Sequence, residues 1–361
     1  MERFIQDNRV MFESYKGKKV LVTGHTGFKG SWLCAWLLSV GAEVIGYSDK
    51  IFSGDNLYEA NNTGNHIKSI IGDIVDRDLL TYTIKTEKPD FIFHLAAQPI
   101  VSESISEPMK TFQVNAIGTA NLMSIVIELE NPVICVLITS DKVYENKEWY
   151  WGYREHDKLG GKDPYSASKA MAELACKSLF DIIYQRNLPI KCGIARAGNV
   201  IGGGDWATSR IVPDMIKAWS TKTAVELRNP KSTRPWQHVL EPLSGYLKLG
   251  NELYNNRCQF EAFNFGPSST NNYSVGDVVD KAKEFLNLQV KYTTMQNKFN
   301  ESGLLKLNCD KASAILNWKS KWNFQETIEK TLIWYIRYYE SSKNNMMDFT
   351  INQIQEYTTK K

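Results

Sequence analysis

The stretch Lys18-Lys-Val-Leu-Val-Thr-Gly24-His-Thr-Gly27-Phe-Lys-Gly30 decides how this chain folds. Its first half is a short apolar run that stops at glycine, as a strand buried on both faces of a parallel sheet does. Gly24, Gly27 and Gly30 then recur at every third position, and Ser31-Trp-Leu-Cys-Ala-Trp-Leu-Leu38 continues as an apolar helix. Glycines so placed permit a tight turn, a close approach of backbone to a pyrophosphate and close packing of helix on strand. The helix N-terminus then faces the anion. Glycines alone would mark a plain turn, but strand, turn and helix in this order point to a dinucleotide.

Further strands follow at regular intervals. The second is Glu43–Ser48, and Asp49 at its end stands where an acid takes ribose hydroxyls. An acid there favours NAD, Lys50 beside it would tolerate the phosphorylated cofactor, and both residues also suit a solvated turn. A third strand starts at Ser69 and ends in Asp73, which either meets an adenine amino group or caps the strand. Phe91–Ala97 is a fourth, Val133–Ile138 a fifth, Lys191–Arg196 a sixth and Ala262–Gly266 a further one, with an amphipathic helix opening at Asn115 and running through Leu129. Strand and helix in alternation predict an α/β fold, a parallel sheet covered on both faces.

The fifth strand runs into Ile138-Thr-Ser-Asp-Lys-Val-Tyr-Glu145, so Ser140, Asp141 and Lys142 lie at the carboxyl end of a strand, where doubly wound sheets bind ligands. Further on, Asp163 is suited to cap a helix whose first position Pro164 takes. Four-residue spacing then stacks the phenol of Tyr165 beside the ammonium of Lys169, and a neighbouring cation lowers a tyrosine's pKa. The plainer alternatives are a chance surface pair for Tyr165 and Lys169 and a local ion pair for Asp141 and Lys142.

From residue 197 the texture changes to Gly198-Asn-Val-Ile-Gly-Gly-Gly-Asp-Trp206, then Arg210 and a loop holding Arg234 and His238. We read 1–196 as the nucleotide-binding domain, with segments around 236–266 returning to it, and 197–361 as mainly a substrate lobe. Arg210 and Arg234 suit a diphosphate, because a guanidinium fork matches phosphate oxygens, and either suits a surface ion pair. Residues 1–17 read as a polar leader and Glu340–Lys361 as a polar, peripheral tail.

Composition bounds the rest. The 361 residues suffice for two lobes, and 43% hydrophobic with 23% charged residues is ordinary for a globular enzyme. A net charge of +3 gives no electrostatic footprint for nucleic acid. The N-terminus lacks the apolar run of a signal peptide and no stretch approaches a membrane span, so we expect a cytoplasmic protein with no membrane partner. Six cysteines without a C-x-x-C pair read as reduced core thiols, and five histidines without ligand spacing support no metal site. His94 and His238 are expected to be structural or to touch substrate.

Thr23-Gly24-His-Thr-Gly27-Phe-Lys-Gly30, His94-Leu-Ala-Ala97, Asn115-Ala-Ile-Gly-Thr119 and Tyr165-Ser-Ala-Ser-Lys169, in this order, resemble the extended short-chain dehydrogenase/reductases over nearly the whole length. Trp151-Gly-Tyr-Arg-Glu155, Arg196–Trp206 and Arg234–Leu243 resemble the sugar-nucleotide branch of that family. The resemblance implies a Rossmann doubly wound parallel sheet with a smaller C-terminal α/β substrate lobe, bound NAD, and a homodimer formed through long helices, or a homotetramer. It also implies dehydration of a nucleotide-activated glucose, CDP-glucose, to its 4-keto-6-deoxy derivative. Carried over residue by residue, the catalytic groups are Ser140, Asp141, Lys142, Tyr165 and Lys169. The cofactor contacts are Gly24, Thr26, Gly27, Phe28, Gly30, Asp49, Asp73, Ile74, Leu95, Ala96, Ala97, Tyr165 and Lys169. The substrate contacts are Gln98, Asn115, Asn199, Arg210, Arg234 and His238. Lys142 stands where relatives with thymidine nucleotides carry a glutamate. A 4-epimerase or simple dehydrogenase would need Tyr165 and Lys169 but not the Asp141–Lys142 pair, and a dinucleotide sensor would need none of the four.

Overall fold

Val20, Leu21, Val22 and Thr23 are wholly buried because their strand, β1 (Lys19–Thr23), runs through the middle of the molecule. The computed structural model describes residues 12–208, 210–227, 229–267, 273–292, 304–340 and 345–360. In chain order β1 is followed by α1 (Phe28–Ser39), β2 (Glu43–Ser48), β3 (Lys68–Ile71), α2 (Arg77–Glu87), β4 (Phe91–His94), α3 (Gly118–Val126), β5 (Val133–Ile138), α4 (Pro164–Gln185), β6 (Ile190–Ala197), α5 (Ile211–Thr221), β7 (Ala224–Leu227), β8 (Thr233–Arg234) and α6 (Leu240–Tyr254). The chain then forms β9 (Glu261–Phe265), β10 (Tyr273–Ser274), α7 (Val275–Lys283), β11 (Gln289–Tyr292), α8 (Asp310–Leu316), α9 (Phe324–Glu340) and α10 (Met347–Thr359).

Seven strands form one parallel sheet in the order β3-β2-β1-β4-β5-β6-β9. The order reverses between β1 and β4, where Thr23 pairs with His94, and open α/β sheets bind their ligands beyond the strands' carboxyl ends at such a point. Two small ladders lie apart from the sheet. In one β7 and β11 run parallel, and in the other β8 and β10 run antiparallel with Arg234 opposite Tyr273. Among the described residues no helix is long and apolar enough to cross a membrane, and no group of acidic, histidine and cysteine side chains is arranged to hold a metal.

Two expectations about the chain ends are corrected. The reading of the first eleven residues lies outside the described part, but Phe12 and Tyr15 are buried, the Tyr15 hydroxyl donating to the Leu247 carbonyl at 2.6 Å. The tail is not peripheral either. Helix α1 is apolar on all sides, and α10 packs on the side that the sheet leaves open, which sets Tyr357 edge-on to Trp36 at 5.8 Å. The Tyr357 hydroxyl donates to buried Glu241 at 2.7 Å, and Lys321 Nζ donates to the last carbonyls of α10. Every fourth residue of that tail is apolar or small enough to bury, a period that its many polar neighbours obscure.

Candidate active site

The glycine turn closes as tightly as its sequence demands. Gly24 has φ +76°, and a Cβ there would lie 2.8 Å from the Ala96 nitrogen. A Cβ on Gly30 would lie 2.1 Å from the Gly24 carbonyl, so α1 presses on the turn itself. Gly27 caps α1 with no side chain to take its first amides, and these are left to an anion. His25 points inward, its Nδ1 2.9 Å from Ser48 Oγ and its Nε2 2.7 Å from Ser69 Oγ. Only a glycine at 46 leaves room for that ring, since a Cβ would come within 2.3 Å of it. Thr26 is held by the Lys50 carbonyl at 2.7 Å, Phe28 lines the far side of the turn by Gly202, and Leu95, Ala96 and Ala97 continue from β4 beside Gly24. Asp49 and Asp73 stand exposed just beyond β2 and β3, Asp73 accepting from the Val75 amide at 2.9 Å, and Ile74 is buried against Gly118. The turn, the open helix end and the two acids fit a dinucleotide.

At the end of β5 the Ser140 hydroxyl accepts from the Lys142 amide at 3.2 Å and donates to Asp141 Oδ1 at 3.0 Å, which starts a single helical turn over Asp141–Val143. Lys142 Nζ lies 3.5 Å from Asp141 Oδ1 and 3.4 Å from Asn199 Oδ1. Asp163 caps α4 through the Ser166 amide at 2.9 Å with Pro164 in the first turn, and this brings Tyr165 to the same place. The Ser140 hydroxyl is close enough to the Tyr165 phenol to favour its ionised form. Gly198 stands over Asp141, for a Cβ there would lie 3.1 Å from Oδ2.

Charge around these groups differs from the sequence expectation in two respects. Burial holds the Tyr165 phenol above the ordinary tyrosine range, and the cation that most opposes this is Lys142. Lys169, one turn on, donates instead to the Ile138 carbonyl at 3.3 Å, and burial brings its ammonium down to about 8. Burial pulls on Lys142 as well, but the Asp141 carboxylate and Tyr165 outweigh it and hold Lys142 above the usual lysine value. Lys142 therefore rests as an ammonium.

Arg210, paired with Asp205 at 2.8 Å, and Arg234 both act electrostatically on this cluster. Three of the expected substrate contacts do not face it. Asn115 is fully buried in a π-helical turn, Gln113–Ile117, where its amide donates to Ser168 Oγ at 2.9 Å and to the Gln98 carbonyl at 3.1 Å. Gln98 spends its own amide on Ile100 and Thr111. Both brace the floor under α4 because a π-turn leaves backbone partners for side chains to supply. His238 lies edge-on between Trp32 and Trp322, wholly buried. Lys29 escaped notice in the sequence because it sits inside the glycine motif. Its Nζ lies 3.5 Å from the Tyr246 hydroxyl, burial brings it down to about 8, and it feels Asp141, Arg210, Lys169 and Lys142.

Burial also drops three histidines from an ordinary 6.5, His25 to about 4 and His94 and His238 to about 3. The unfolded chain binds these protons first, so stability falls as pH drops below the unfolded value and keeps falling until the folded values are reached. At pH 5 each neutral histidine is expected to cost about 2 kcal/mol relative to neutral pH. Calorimetric melting at the two pH values tests this, and equal melting temperatures would refute it.

Comparison with known proteins bears on the same residues. The family model described as GDP-mannose 4,6 dehydratase matches residues 21–331. The chain is 42% identical over 327 residues to CDP-glucose 4,6-dehydratase of Salmonella typhimurium, covering 89% of this chain and 91% of that protein. It is 25% identical to CDP-paratose 2-epimerase of Salmonella typhi over 88% of this chain and 98% of that one. Among solved structures, dTDP-glucose 4,6-dehydratase of Bacillus anthracis in complex with NAD shares the fold with a TM-score of 0.73, at 22% identity over 90% of this chain and 98% of its own. With its glycine turn, its Tyr165–Lys169 helix and a match of this extent, the chain belongs to the GDP-mannose 4,6 dehydratase family of extended short-chain dehydrogenase/reductases.

Proposed function

We propose that the chain is an NAD-dependent hydro-lyase that converts CDP-glucose to CDP-4-keto-6-deoxyglucose and water. The observation that carries this reading is the Asp141–Lys142 pair at 3.5 Å beside the Tyr165 phenol. Oxidation at C4 needs one base, whereas taking water from C5 and C6 needs an acid and a base more. The 42% identity to a CDP-glucose 4,6-dehydratase supports the cytidine nucleotide.

The glycine turn and the first amides of α1 would hold the pyrophosphate of NAD, with Asp49 on a ribose, Asp73 and Ile74 by the adenine, and Leu95–Ala97, Tyr165 and Lys169 toward the nicotinamide. A nicotinamide held there would supply the hydride acceptor for C4 and the hydride donor for C6. Tyr165 takes the proton of the 4-hydroxyl, which Ser140 orients, and does so as the phenolate, a form that Lys142, Ser140 and Arg210 favour against burial and that the positive ring of a bound cofactor would favour further. A 4-keto group makes the C5 hydrogen acidic, so Lys142 can remove it while Asp141 protonates the departing 6-hydroxyl. For these roles the ammonium of Lys142 first passes its proton to the Asp141 carboxylate. A sugar that covers the pair favours this transfer, because loss of water disfavours both charges. Asn199 keeps Lys142 turned toward the sugar, and Arg210 and Arg234 take the diphosphate.

A homodimer is supported by Ile105, Met109, Ile117, Met171 and Leu174, exposed apolar side chains on the packed group of helices around α4. The chemistry is tested by incubation with CDP-glucose and NAD in heavy water, followed by mass spectrometry. The product should have lost water and carry deuterium at C5. A product without that label would remove the elimination step, and an isomer of unchanged mass would make the protein an epimerase.

A further inference from the structure

Beneath the loop of Ser140, Asp141 and Lys142 lies a charged pair that the reaction itself does not use. Glu173 and Arg196 are each 0% exposed. A buried ion pair is often no more stabilising than an apolar pair of the same volume. Stability alone is therefore a poor reason for two sealed charges, and what they grip is a better one.

Glu173 lies on α4 one turn beyond Lys169. Its Oε1 accepts from Thr139 Oγ1 at 2.6 Å and from Arg196 Nε at 2.8 Å, and its other oxygen accepts from Arg196 Nη2. The remaining arm of the guanidinium, Nη1, donates to the Tyr144 hydroxyl at 2.7 Å and to the Glu155 carbonyl at 3.0 Å. The guanidinium also lies 4.9 Å over the Tyr144 ring. Thr139 directly precedes Ser140-Asp141-Lys142-Val143, and Tyr144 directly follows. The loop is thus tied at both ends to one ion pair, whose Glu173 rides on the helix that carries Tyr165 and Lys169 and whose Arg196 stands on β6. A guanidinium suits this position, because its planar fork donates to both Glu173 oxygens while its remaining arm reaches the phenol and the Glu155 carbonyl, a spread that the single point of an ammonium does not match.

We infer that Glu173 and Arg196 are positioning residues that hold the acid and base of the 140–142 loop in register with Tyr165 and Lys169, so that both halves of the reaction address one sugar. This rests on the function proposed above. A displacement of about 1 Å in a reacting group can cost about a hundredfold in rate. Loosening the loop should therefore slow elimination, which takes both its acid and its base from the loop, more than oxidation, which takes Tyr165 from the helix and only Ser140 from the loop.

The test uses the full chain with CDP-glucose and NAD in heavy water. Thr139→Val frees one end of the loop from Glu173, Tyr144→Phe frees the other from Arg196 and from Asn264, and both leave the Glu173–Arg196 contacts themselves in place. Reduced cofactor formed in a single turnover reports oxidation at C4, and deuterium at C5 with loss of water reports elimination. In each variant elimination is expected to fall by about tenfold to a hundredfold and oxidation by less than about threefold. An equal loss in both steps, or an unchanged ratio, would make the pair merely structural and overturn the inference. Failure of the unaltered protein to lose water would instead overturn the proposed function, and it would be seen before any variant is made.

Discussion

Tyr165→Phe is expected to lower kcat by about 10²–10⁴-fold, the usual share of a positioned acid or base, with little change in KM. The substitution removes one oxygen from a half-buried ring in the first turn of α4. The helix keeps its Asp163 cap at 2.9 Å and its Pro164, so melting should barely move. Affinity should hold as well, since the diphosphate is assigned to Arg210 and Arg234. Oxidation and elimination are expected to disappear together, because a 4-keto group must form before the C5 hydrogen becomes acidic. Steady-state kinetics with CDP-glucose checks this, and a variant within tenfold of the parent would show that another base serves C4.

Lys142→Ala is expected to separate the two steps that Tyr165→Phe abolishes together. Water loss should fall by about 10²–10⁴-fold, while reduced cofactor still forms in a single turnover. Removing Lys142 also frees Tyr165 from the cation that most lowers it, so a modest slowing of oxidation is expected too, and it should be relieved at higher pH. Lys142 is partly exposed, its side chain 30% accessible, so its ion pair with Asp141 contributes no more than about 1 kcal/mol to folding. The variant should therefore fold. Elimination at the parental rate would reduce Asp141 and Lys142 to a local ion pair and show that another base removes the C5 hydrogen.

The parts of the site that are legible in the sequence are those set by local geometry. A glycine at 24 is required by its φ of +76°, which follows from a strand that turns at once into a helix, whereas the Ala96 nitrogen pressed against it is brought there by β4. The cap at Asp163 and the spacing of Tyr165 and Lys169 are properties of a single helix. The tail was misread for a related reason. The burial of Met347, Thr350, Gln353, Ile354 and Tyr357 makes sense only once the bare outer face of α1 is known to lie opposite.

Side chains whose partners come from distant segments could not be read in this way. Asn115 and Gln98 look like polar residues free to meet a sugar, yet packing of the π-turn against α4 spends their hydrogen bonds inside the protein. His238 sits in a polar, proline-broken stretch, but Trp32 and Trp322 close over it. Burial draws Lys142 toward the free base that its role requires, but the Asp141 carboxylate and Tyr165, brought to it by tertiary packing, outweigh that pull. The sequence by itself determined the strand–turn–helix that receives a dinucleotide and the residue types able to move protons, because backbone conformation and helix period are local. Only the tertiary structure decided which side chains share the site, how each is charged, and that Glu173 and Arg196 grip the loop from below, because burial and Coulomb interaction depend on segments brought together across the sheet.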